Sequence, residues 1–530
     1  MVNWTKEQKL AIEEAGKNIL VSAAAGSGKT AVLVERIIQK LIDPQNPIDI
    51  DEIFVSTFTN AAAEEMRNRI GEALEKAIAQ DPTSQHLKKQ LSLLPRAHIS
   101  TLHSFCTTVV RQYAYKLDLD PAFRIADEME IELIKQEVID EMFEEHYGKE
   151  GEKLERFFQV VDMFSSDRSD AEVEKLILQL YTFAMQHPWP EKWLKEVAEV
   201  YNIRENIEEA EIEWLNYLKN EVKDELLSFE KEINRAITIA KESDGPYHYI
   251  ETLQHDLEII DTAIQKIDQW DELQQYFVTA KLKNLSSKRV ECNEEKKEQI
   301  KQIRKSFRED WNSMKKSYFS RNLMAHLQDM RTLYPIIQQL VMLVIEFKDR
   351  FQATKREKAI VDFSDLEHFC LEILTERSKD GKIVPSEVAE MYQKQFKEIL
   401  VDEYQDINNV QETILTVVSK NDPGNMFMVG DVKQSIYRFR HAEPFLFIEK
   451  YKNYEKDEAL GKRIDLARNF RSRENVLLSA NYIFRQIFDE TLGEITYDEK
   501  AELIYGNLNY EDFPIDHVET ELVLVDRDTE

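Results

Sequence analysis

The sequence predicts an α/β fold built on a buried parallel sheet, and three stretches support this prediction. An apolar run at 19–21 leads into a Gly-rich turn and then a helical pattern. A second apolar run at 399–401 ends in two acidic residues, and a third occupies 426–430. Short apolar runs bounded by turn signals are typical of strands that are buried on both faces, as the strands of parallel sheets are.

The first stretch, ILVSAAAGSGKT at 19–30, has the order strand, Gly-rich turn, helix that a phosphate-binding loop requires. Because Gly26 and Gly28 carry no Cβ, backbone N–H groups can surround phosphates at a helix N-terminus. Lys29 is expected to reach the β- and γ-phosphates, and the Thr30 hydroxyl to ligate Mg²⁺. The general pattern has glycine where Ala23 stands. The predicted ligand is ATP with Mg²⁺, held by the loop residues Ala23, Ala24, Ala25, Gly26, Ser27, Gly28, Lys29 and Thr30.

Gln8 lies one short helix before this loop and allows two interpretations. Thr5 and Gln8 have the spacing of a capping box at a helix N-terminus. Alternatively, the Gln8 amide could hydrogen-bond both the donor and the acceptor edge of adenine. The sequence leaves both open.

Two further strands, predicted at 53–57 and 98–101, are followed by an aromatic residue and short polar groups. Ligands bind at the carboxyl edge of open parallel sheets, so these side chains are candidates for gripping a nucleic-acid strand by stacking and phosphate contacts. Core packing of the two rings is the alternative. The candidates are Phe58, Asn60, His103 and Phe105.

Asp402 and Glu403 directly follow the predicted strand at 399–401, so they are expected at the same carboxyl edge of the sheet. Asp402 would hold Mg²⁺ and Glu403 would polarise the attacking water. After the strand at 426–430, Gln434 is placed to sense the γ-phosphate, and Tyr437, Phe439 and Arg440 could contact a base and its backbone. Near 470, Arg471 could stabilise charge on a transferring phosphoryl group, and Phe470 could stack on adenine.

Between about 111 and 348 the sequence is highly charged and helical, which predicts an all-helical insertion in the α/β domain. Within it, 281–321 carries 13 Lys/Arg against 6 Asp/Glu, interleaved with Phe307, Trp311, Tyr318 and Phe319. Basic residues mixed with aromatics suit single-stranded nucleic acid. A solvated helix face is the commoner meaning of such a run.

Charge, cysteine content and hydropathy limit the partners and the cellular compartment that the chain is expected to have. The net charge of −31 disfavours a nucleic-acid partner only mildly, because such proteins need a basic groove and not a basic average. The three cysteines are scattered without metal-ligand or disulfide spacing, which suits a reducing, cytoplasmic setting. No apolar run approaches the ~20 residues of a membrane span, so no membrane partner is expected.

Taken together, the motifs resemble those of superfamily 1 DNA helicases of the UvrD/PcrA/RecB group. The matching stretches are WTKEQ, AAAGSGKT, TFTNAAAEEM, TLHSF, DFSDL, VDEYQD, VGDVKQSIYRFR and NFRS. Within this group, several stretches resemble the AddA (RexA) family, which belongs to bacterial ATP-dependent helicase/nucleases. They are VSAAAGSGKTAVLVERI, TFTNAAAEEMRNRI, FRIADE and the GEITYDE region.

The resemblance implies two RecA-like domains, 1A and 2A, with a helical insertion 1B. The implied division is 1–110 and 349–455 for domain 1A, 111–348 for 1B and 456–530 for the start of 2A. The family translocates 3′→5′ on single-stranded DNA, works with an AddB (RexB) partner and processes double-strand DNA breaks. Because the later helicase motifs and the nuclease domain of the family are not found, we expect the chain to be the N-terminal part of a longer protein.

Two other functions stay open at this point. One is a P-loop NTPase that regulates or assembles a complex without moving nucleic acid, and the other is a stand-alone repair helicase of the UvrD type. The cluster Tyr437, Phe439 and Arg440 discriminates the first of these, because only a translocase needs those rings for single-strand binding.

Overall fold

A computed structural model describes residues 4–43, 47–165, 169–488, 495–507 and 510, although not the side chain of Arg440. The described residues fall into two compact units. The first unit comprises the described residues within Met1–Gly148, Glu174–Trp193 and Val344–Glu530, and the second comprises those within Lys149–Val173 and Leu194–Leu343.

The strands are β1 (Ile19–Ala23), β2 (Ile53–Thr57), β3 (His98–Thr101), β4 (Arg124–Ile125), β5 (Ile360–Val361), β6 (Thr375–Arg377), β7 (Ile383–Pro385), β8 (Glu398–Val401), β9 (Met426–Gly430), β10 (Lys462–Leu466), β11 (Arg468–Asn469) and β12 (Ile504–Tyr505).

The helices are α1 (Lys6–Glu13), α2 (Lys29–Ile42), α3 (Asn60–Gln80), α4 (Gln85–Leu93), α5 (Leu102–Tyr113), α6 (Glu128–Tyr147), α7 (Glu152–Phe164), α8 (Ala171–Ala184), α9 (Pro190–Glu199), α10 (Glu213–Ala240), α11 (Ile250–Gln265), α12 (Trp270–Thr279), α13 (Glu294–Ser317), α14 (Leu323–Glu357), α15 (Phe363–Leu374), α16 (Glu387–Gln395), α17 (Asn409–Val418), α18 (Pro444–Lys456) and α19 (Glu474–Ile487).

Six parallel strands form the main sheet of the first unit, in the order β10-β1-β9-β8-β2-β3. Side chains alternate between two apolar cores: Leu20 faces the core built with α5 and α15–α18, whereas Val21 faces the core built with α1–α4. Burial on both faces explains why these strands are continuous apolar runs in the sequence. The predicted parallel α/β fold is confirmed.

Strand β10 differs from the sequence-based division of the chain. It lies within 456–530, the range that the resemblance gives to a second RecA-like domain, yet it pairs with β1 in the main sheet, with Ile464 opposite Val21. Later residues of that range form β11, α19 and β12, and β11 pairs with β12 in a separate two-stranded sheet. The structure therefore joins 462–466 to the first sheet.

The second unit carries α7 and α10–α13, together with parts of α8, α9 and α14. Its core is apolar and aromatic, and Phe307, Trp311 and Phe319 are buried in it. The Trp311 ring stacks on Phe277 with 4.1 Å between centroids. The hypothesis that the aromatic residues of 281–321 face a nucleic-acid strand is therefore wrong for these three rings, because the fold turns them inward. Arg304 of the same stretch is also buried, where it pairs with Asp256.

Among the helices that the structure describes, none combines the length and the apolar character that crossing a membrane requires.

Candidate functional site

The turn between β1 and α2 has the backbone of a phosphate-binding loop. Gly26 and Gly28 adopt φ values of +69° and +87°, which favour glycine over residues with a Cβ. A Cβ on Gly26 would also lie 2.7 Å from the Cβ of Arg471. Ala23 is the last residue of β1, fully buried and paired with Leu466, so this position lies in the strand. An alanine fits where the general pattern has glycine.

Inside the loop, the Ser27 hydroxyl is buried and has no hydrogen-bond partner among the described residues. A buried donor without a partner costs free energy, about 1–3 kcal/mol. Helix α2 begins directly afterwards at Lys29, so its first N–H groups and its positive dipole end face the same turn. Together these groups fit a phosphate.

Gln8 supports the loop from α1. Its Oε1 accepts from the Thr5 N–H at 2.9 Å and Thr5 Oγ1 accepts from the Gln8 N–H, so the predicted capping box is confirmed. Its Nε2 donates to the Ser27 carbonyl at 2.9 Å. With one N–H and one acceptor lone pair engaged, the amide can make at most one further contact of each kind, as adenine would require.

Lys29 and Glu403 form the link between the loop and β8. The Lys29 Nζ lies 2.9 Å from one Glu403 carboxylate oxygen and 3.2 Å from the other. Glu403 adopts a left-handed backbone with φ +50°, a costly conformation in a residue with a Cβ, of the kind that clusters at functional sites. Thr30 follows Lys29 in the first turn of α2 and is half-buried.

Asp402 precedes Glu403 at the end of β8, where its Oδ1 accepts the Glu403 N–H at 3.1 Å. Burial, followed by the negative charge of Glu403, raises the pKa of Asp402 to about 6. The same two causes raise the pKa of Asp406 to about 6. Three carboxyl groups thus meet one lysine at this strand end, an arrangement that a divalent cation would neutralise.

Gln405, which the sequence-based site omits, connects these carboxylates to the end of β9. Its Nε2 donates to Glu403 Oε2 at 2.9 Å, and its Oε1 accepts the Asp431 N–H at 3.0 Å. Asp431 in turn accepts from Gln434 Nε2 at 2.7 Å. Gln434 is therefore joined to Lys29 through three intervening residues. The signal was available, since Gln405 lies two residues after Glu403 in VDEYQD.

The segment after β10 makes hydrogen bonds with the backbone of the phosphate-binding loop. Phe470 donates its N–H to the Gly26 carbonyl at 2.8 Å, and Asn469 Nδ2 donates to the Ala25 carbonyl at 2.6 Å. Arg471 is exposed, and its Cβ lies against Gly26. Phe470 and Arg471 thus lie beside the loop as predicted, held there by Asn469, a buried residue that sequence reasoning missed.

Three aromatic rings cluster at the carboxyl ends of β2 and β9. The Phe58 and Tyr437 rings stack with 4.7 Å between centroids, and Tyr437 and Phe439 are 5.9 Å apart. Phe58 is 40% exposed and Phe439 73% exposed. We call Phe58, Tyr437 and Phe439 the ring cluster. Arg440 belongs to the same segment, but its side chain lies outside the described residues.

Of the remaining predicted nucleic-acid contacts, Asn60 is exposed at the start of α3. His103 is half-exposed, with Nε2 3.1 Å from the buried Glu367 carboxylate. Burial lowers the pKa of His103, but the hydrogen bond and charge of Glu367 outweigh it, so the net pKa is raised.

The structure contradicts the prediction that Phe105 contacts a nucleic-acid strand. It is 4% exposed and packs in the core, 4.7 Å from the Phe54 ring and 5.4 Å from Tyr392. Helix α5 begins at Leu102, and the helical period turns Phe105 toward the sheet while His103 stays outside. The expectation that Phe105 faces a nucleic acid is therefore wrong.

A cavity of about 320 Å³ in the first unit is lined by Phe58, His103 and Tyr437 and also by Asp402, Glu403 and Asp406. Two residues predicted for the nucleotide side, Asp402 and Glu403, therefore share this cavity with three predicted nucleic-acid contacts.

A phosphate loop at the end of one parallel strand, with an Asp–Glu pair at the end of another, is the architecture of a P-loop NTPase. The chain belongs to the UvrD/REP helicase family: the UvrD/REP helicase N-terminal domain matches residues 4–455.

Curated relatives agree with this family. The chain is 58% identical to the A subunit of the ATP-dependent helicase/nuclease of Oceanobacillus iheyensis, over 100% of this chain and 43% of the relative. It is 49% identical to proteins of the same name from Bacillus cytotoxicus and Bacillus anthracis, over 95% of this chain and 41% of each relative. The chain thus spans less than half the length of these relatives.

Proposed function

We propose that this chain is the ATP-driven motor module of a DNA helicase/nuclease and that it translocates 3′→5′ on single-stranded DNA. One observation carries the proposal. Hydrogen bonds run from Lys29 through Glu403, Gln405 and Asp431 to Gln434, which lies three residues before Tyr437 in the chain. Membership of the helicase family and the similarity to helicase/nuclease A subunits support it.

ATP and Mg²⁺ would be held at the loop. The N–H groups of Ala25, Gly26 and Gly28, the Ser27 hydroxyl and the Lys29 ammonium would bind the phosphates, whereas the N–H groups of Ala24 and Ser27 already donate to backbone carbonyls. Thr30 and Asp402 would hold the metal. When bound, the metal neutralises charge on the phosphate oxygens. Gln8 and Phe470, which flank the loop, would contact the adenine.

The chain's own side chains would then perform the hydrolytic step. Glu403 orients the attacking water and accepts its proton, because it is the carboxylate nearest Lys29. Gln434 responds to the γ-phosphate through its link to Asp431. The exposed guanidinium of Arg471 stabilises charge on the transferring phosphoryl group.

Single-stranded DNA would lie across the ring cluster, whose faces suit base stacking. Asn60, His103 and Arg440 would contact its backbone, His103 as a cation held by Glu367. Because Phe58 and Tyr437 of the ring cluster line the same cavity as the carboxylates, a change at one of them reaches the other over a short distance.

We further propose that the whole encoded protein acts in the cytoplasm with an AddB (RexB)-like partner, as a heterodimer that processes double-strand DNA breaks for recombinational repair. The relatives are named as A subunits of an ATP-dependent helicase/nuclease, and this name supports a nuclease activity and a second kind of subunit.

The test is ATP hydrolysis by the whole encoded protein, measured with and without single-stranded DNA. We expect single-stranded DNA to stimulate hydrolysis. Lys29→Ala should lower kcat by about 10²–10³-fold, since it removes a charge that stabilises the transition state, while single-strand binding is retained. Lys9→Ala, at an exposed lysine of α1, is the matched control and should change neither.

Hydrolysis at the full rate without DNA would favour an NTPase that regulates or assembles a complex without translocation. Full activity of Lys29→Ala would contradict the assignment of the nucleotide site itself.

A further inference from the structure

We propose that Gln405 is a positioning residue that holds Glu403 in place for proton transfer when Lys29 turns to the phosphates. This inference deepens the proposed function and rests on it. In the structure Glu403 has two side-chain partners, Lys29 Nζ and Gln405 Nε2, both at 2.9 Å from Oε2. When the Lys29 ammonium moves to the phosphates and away from Glu403, Gln405 Nε2 is the side-chain donor that stays at this carboxylate.

The amide orientation of Gln405 is fixed by its surroundings. Its Nε2 faces two carboxylates, Glu403 at 2.9 Å and Asp406 at 3.1 Å, and must donate to both. Its Oε1 faces the Asp431 N–H and must accept. A glutamine supplies one group of each kind, whereas a glutamate supplies only acceptors. The side chain is 1% exposed, so water does not replace these contacts.

Gly430 shows how closely this amide is held. A Cβ on Gly430 would lie 2.3 Å from Gln405 Oε1 and 3.2 Å from its backbone N. The last residue of β9 therefore has to be glycine for Gln405 to reach the Asp431 N–H. The same Cβ would lie 3.2 Å from Cε2 of Phe447, so the shortest contact by far is the one with the Gln405 amide. Substituting Gly430 therefore displaces Gln405 while leaving its side chain unchanged, which provides a second variant.

The experiment measures steady-state ATP hydrolysis of the whole encoded protein carrying Gln405→Met. Methionine keeps the length and volume of the side chain but can neither donate nor accept in this way. We expect kcat to fall about 10–100-fold, as for other residues that orient a catalytic group, while the KM for ATP and the affinity for single-stranded DNA stay within about 2-fold. Gln405→Glu and Gly430→Ala should likewise lower kcat while leaving the KM for ATP and the affinity for single-stranded DNA nearly unchanged.

Gln393→Met is the matched control. Gln393 is a half-buried glutamine of α16 whose Nε2 donates to the Val417 carbonyl, away from the carboxylates. It should leave kcat unchanged.

Two results would overturn the inference. One is an unchanged kcat in Gln405→Met; the other is a KM and a DNA affinity that worsen together with kcat in all three variants, which indicates a structural role. Glu403→Gln separates these from failure of the proposed function. If Glu403→Gln still hydrolyses ATP, the proposed function fails, whereas an inactive Glu403→Gln beside an unaffected Gln405→Met refutes only the role of Gln405.

Discussion

Two stretches of this chain combine aromatic and basic residues, and the fold treats them in opposite ways. In 437–440 the rings of Tyr437 and Phe439 lie at the carboxyl end of a parallel strand, and Phe439 is 73% exposed. In 281–321 the rings of Phe307 and Trp311 are 3% and 2% exposed inside the helical unit.

The difference teaches that composition alone does not define a nucleic-acid surface. An amphipathic helix needs apolar residues every three to four positions to build its core, and aromatic rings serve this purpose well. A loop that follows a buried strand does not need regularly spaced apolar residues to build a core. An exposed ring there calls for another explanation, and binding is the one that the position favours.

The largest effect expected from this contrast is on stability. Trp311→Ala removes a buried indole that stacks on Phe277, and it should lower the free energy of unfolding of the helical unit by about 3–5 kcal/mol. The measurement is chemical denaturation followed by fluorescence. Under conditions where the variant is folded, its affinity for single-stranded DNA should equal that of the unchanged protein; a loss of affinity without a loss of stability would reverse the assignment of the two stretches.

The next effect is on binding. Phe439→Ala and Tyr437→Ala should each weaken single-stranded DNA binding by about 1–3 kcal/mol, because each removes a stacking surface. Fluorescence anisotropy with a labelled oligonucleotide measures the change. Tyr115→Ala replaces an exposed ring outside the ring cluster and serves as the control, with unchanged affinity expected. Equal losses for Tyr115 and Phe439 would show that any exposed ring suffices.

The smallest effect concerns His103. Its raised pKa means that the positive charge is present at low pH and is lost as the pH rises through that pKa. At pH 6, below the ordinary histidine pKa of about 6.5, His103→Gln should reduce the slope of log K against log salt by about 0.7, one phosphate contact. At pH 9 the His103→Gln variant and the unchanged protein should show the same slope of log K against log salt.

His187→Gln is the control, because burial lowers the pKa of His187 and its ring is stacked on Trp193. A difference between the His103 variant and the unchanged protein that persists at pH 9 would contradict a charge-based contact.

Much of the first unit could be predicted from the sequence because buried strands are short apolar runs and strand ends carry distinctive residues. The predicted bounds 53–57, 98–101 and 426–430 match β2, β3 and β9. The pairing of β10 with β1 could not be predicted, since strand order depends on contacts between residues more than 440 positions apart.

Individual side chains were less predictable. Phe58 and Phe105 each follow a strand end by a few residues, yet Phe58 precedes the first residue of α3 and stays exposed, whereas Phe105 lies inside α5 and is buried. One helix boundary decides between the two outcomes, and boundaries are what sequence patterns fix least well. Asn469 was missed for a different reason, because its role is a hydrogen bond to Ala25, a residue distant in the sequence. Gln405 lies two residues from the predicted Glu403 and only its contact with Asp431 is distant, so its position in VDEYQD was a usable signal.

The central claim is that binding of single-stranded DNA to the ring cluster stimulates ATP hydrolysis at the nucleotide site. Its most direct test is the rate of ATP hydrolysis of the whole encoded protein with Tyr437→Ala and Phe439→Ala combined, measured across a titration with single-stranded DNA. We predict that hydrolysis without DNA is unchanged and that stimulation by DNA is lost or needs at least about tenfold more DNA. Full stimulation at the original DNA concentration would contradict the claim.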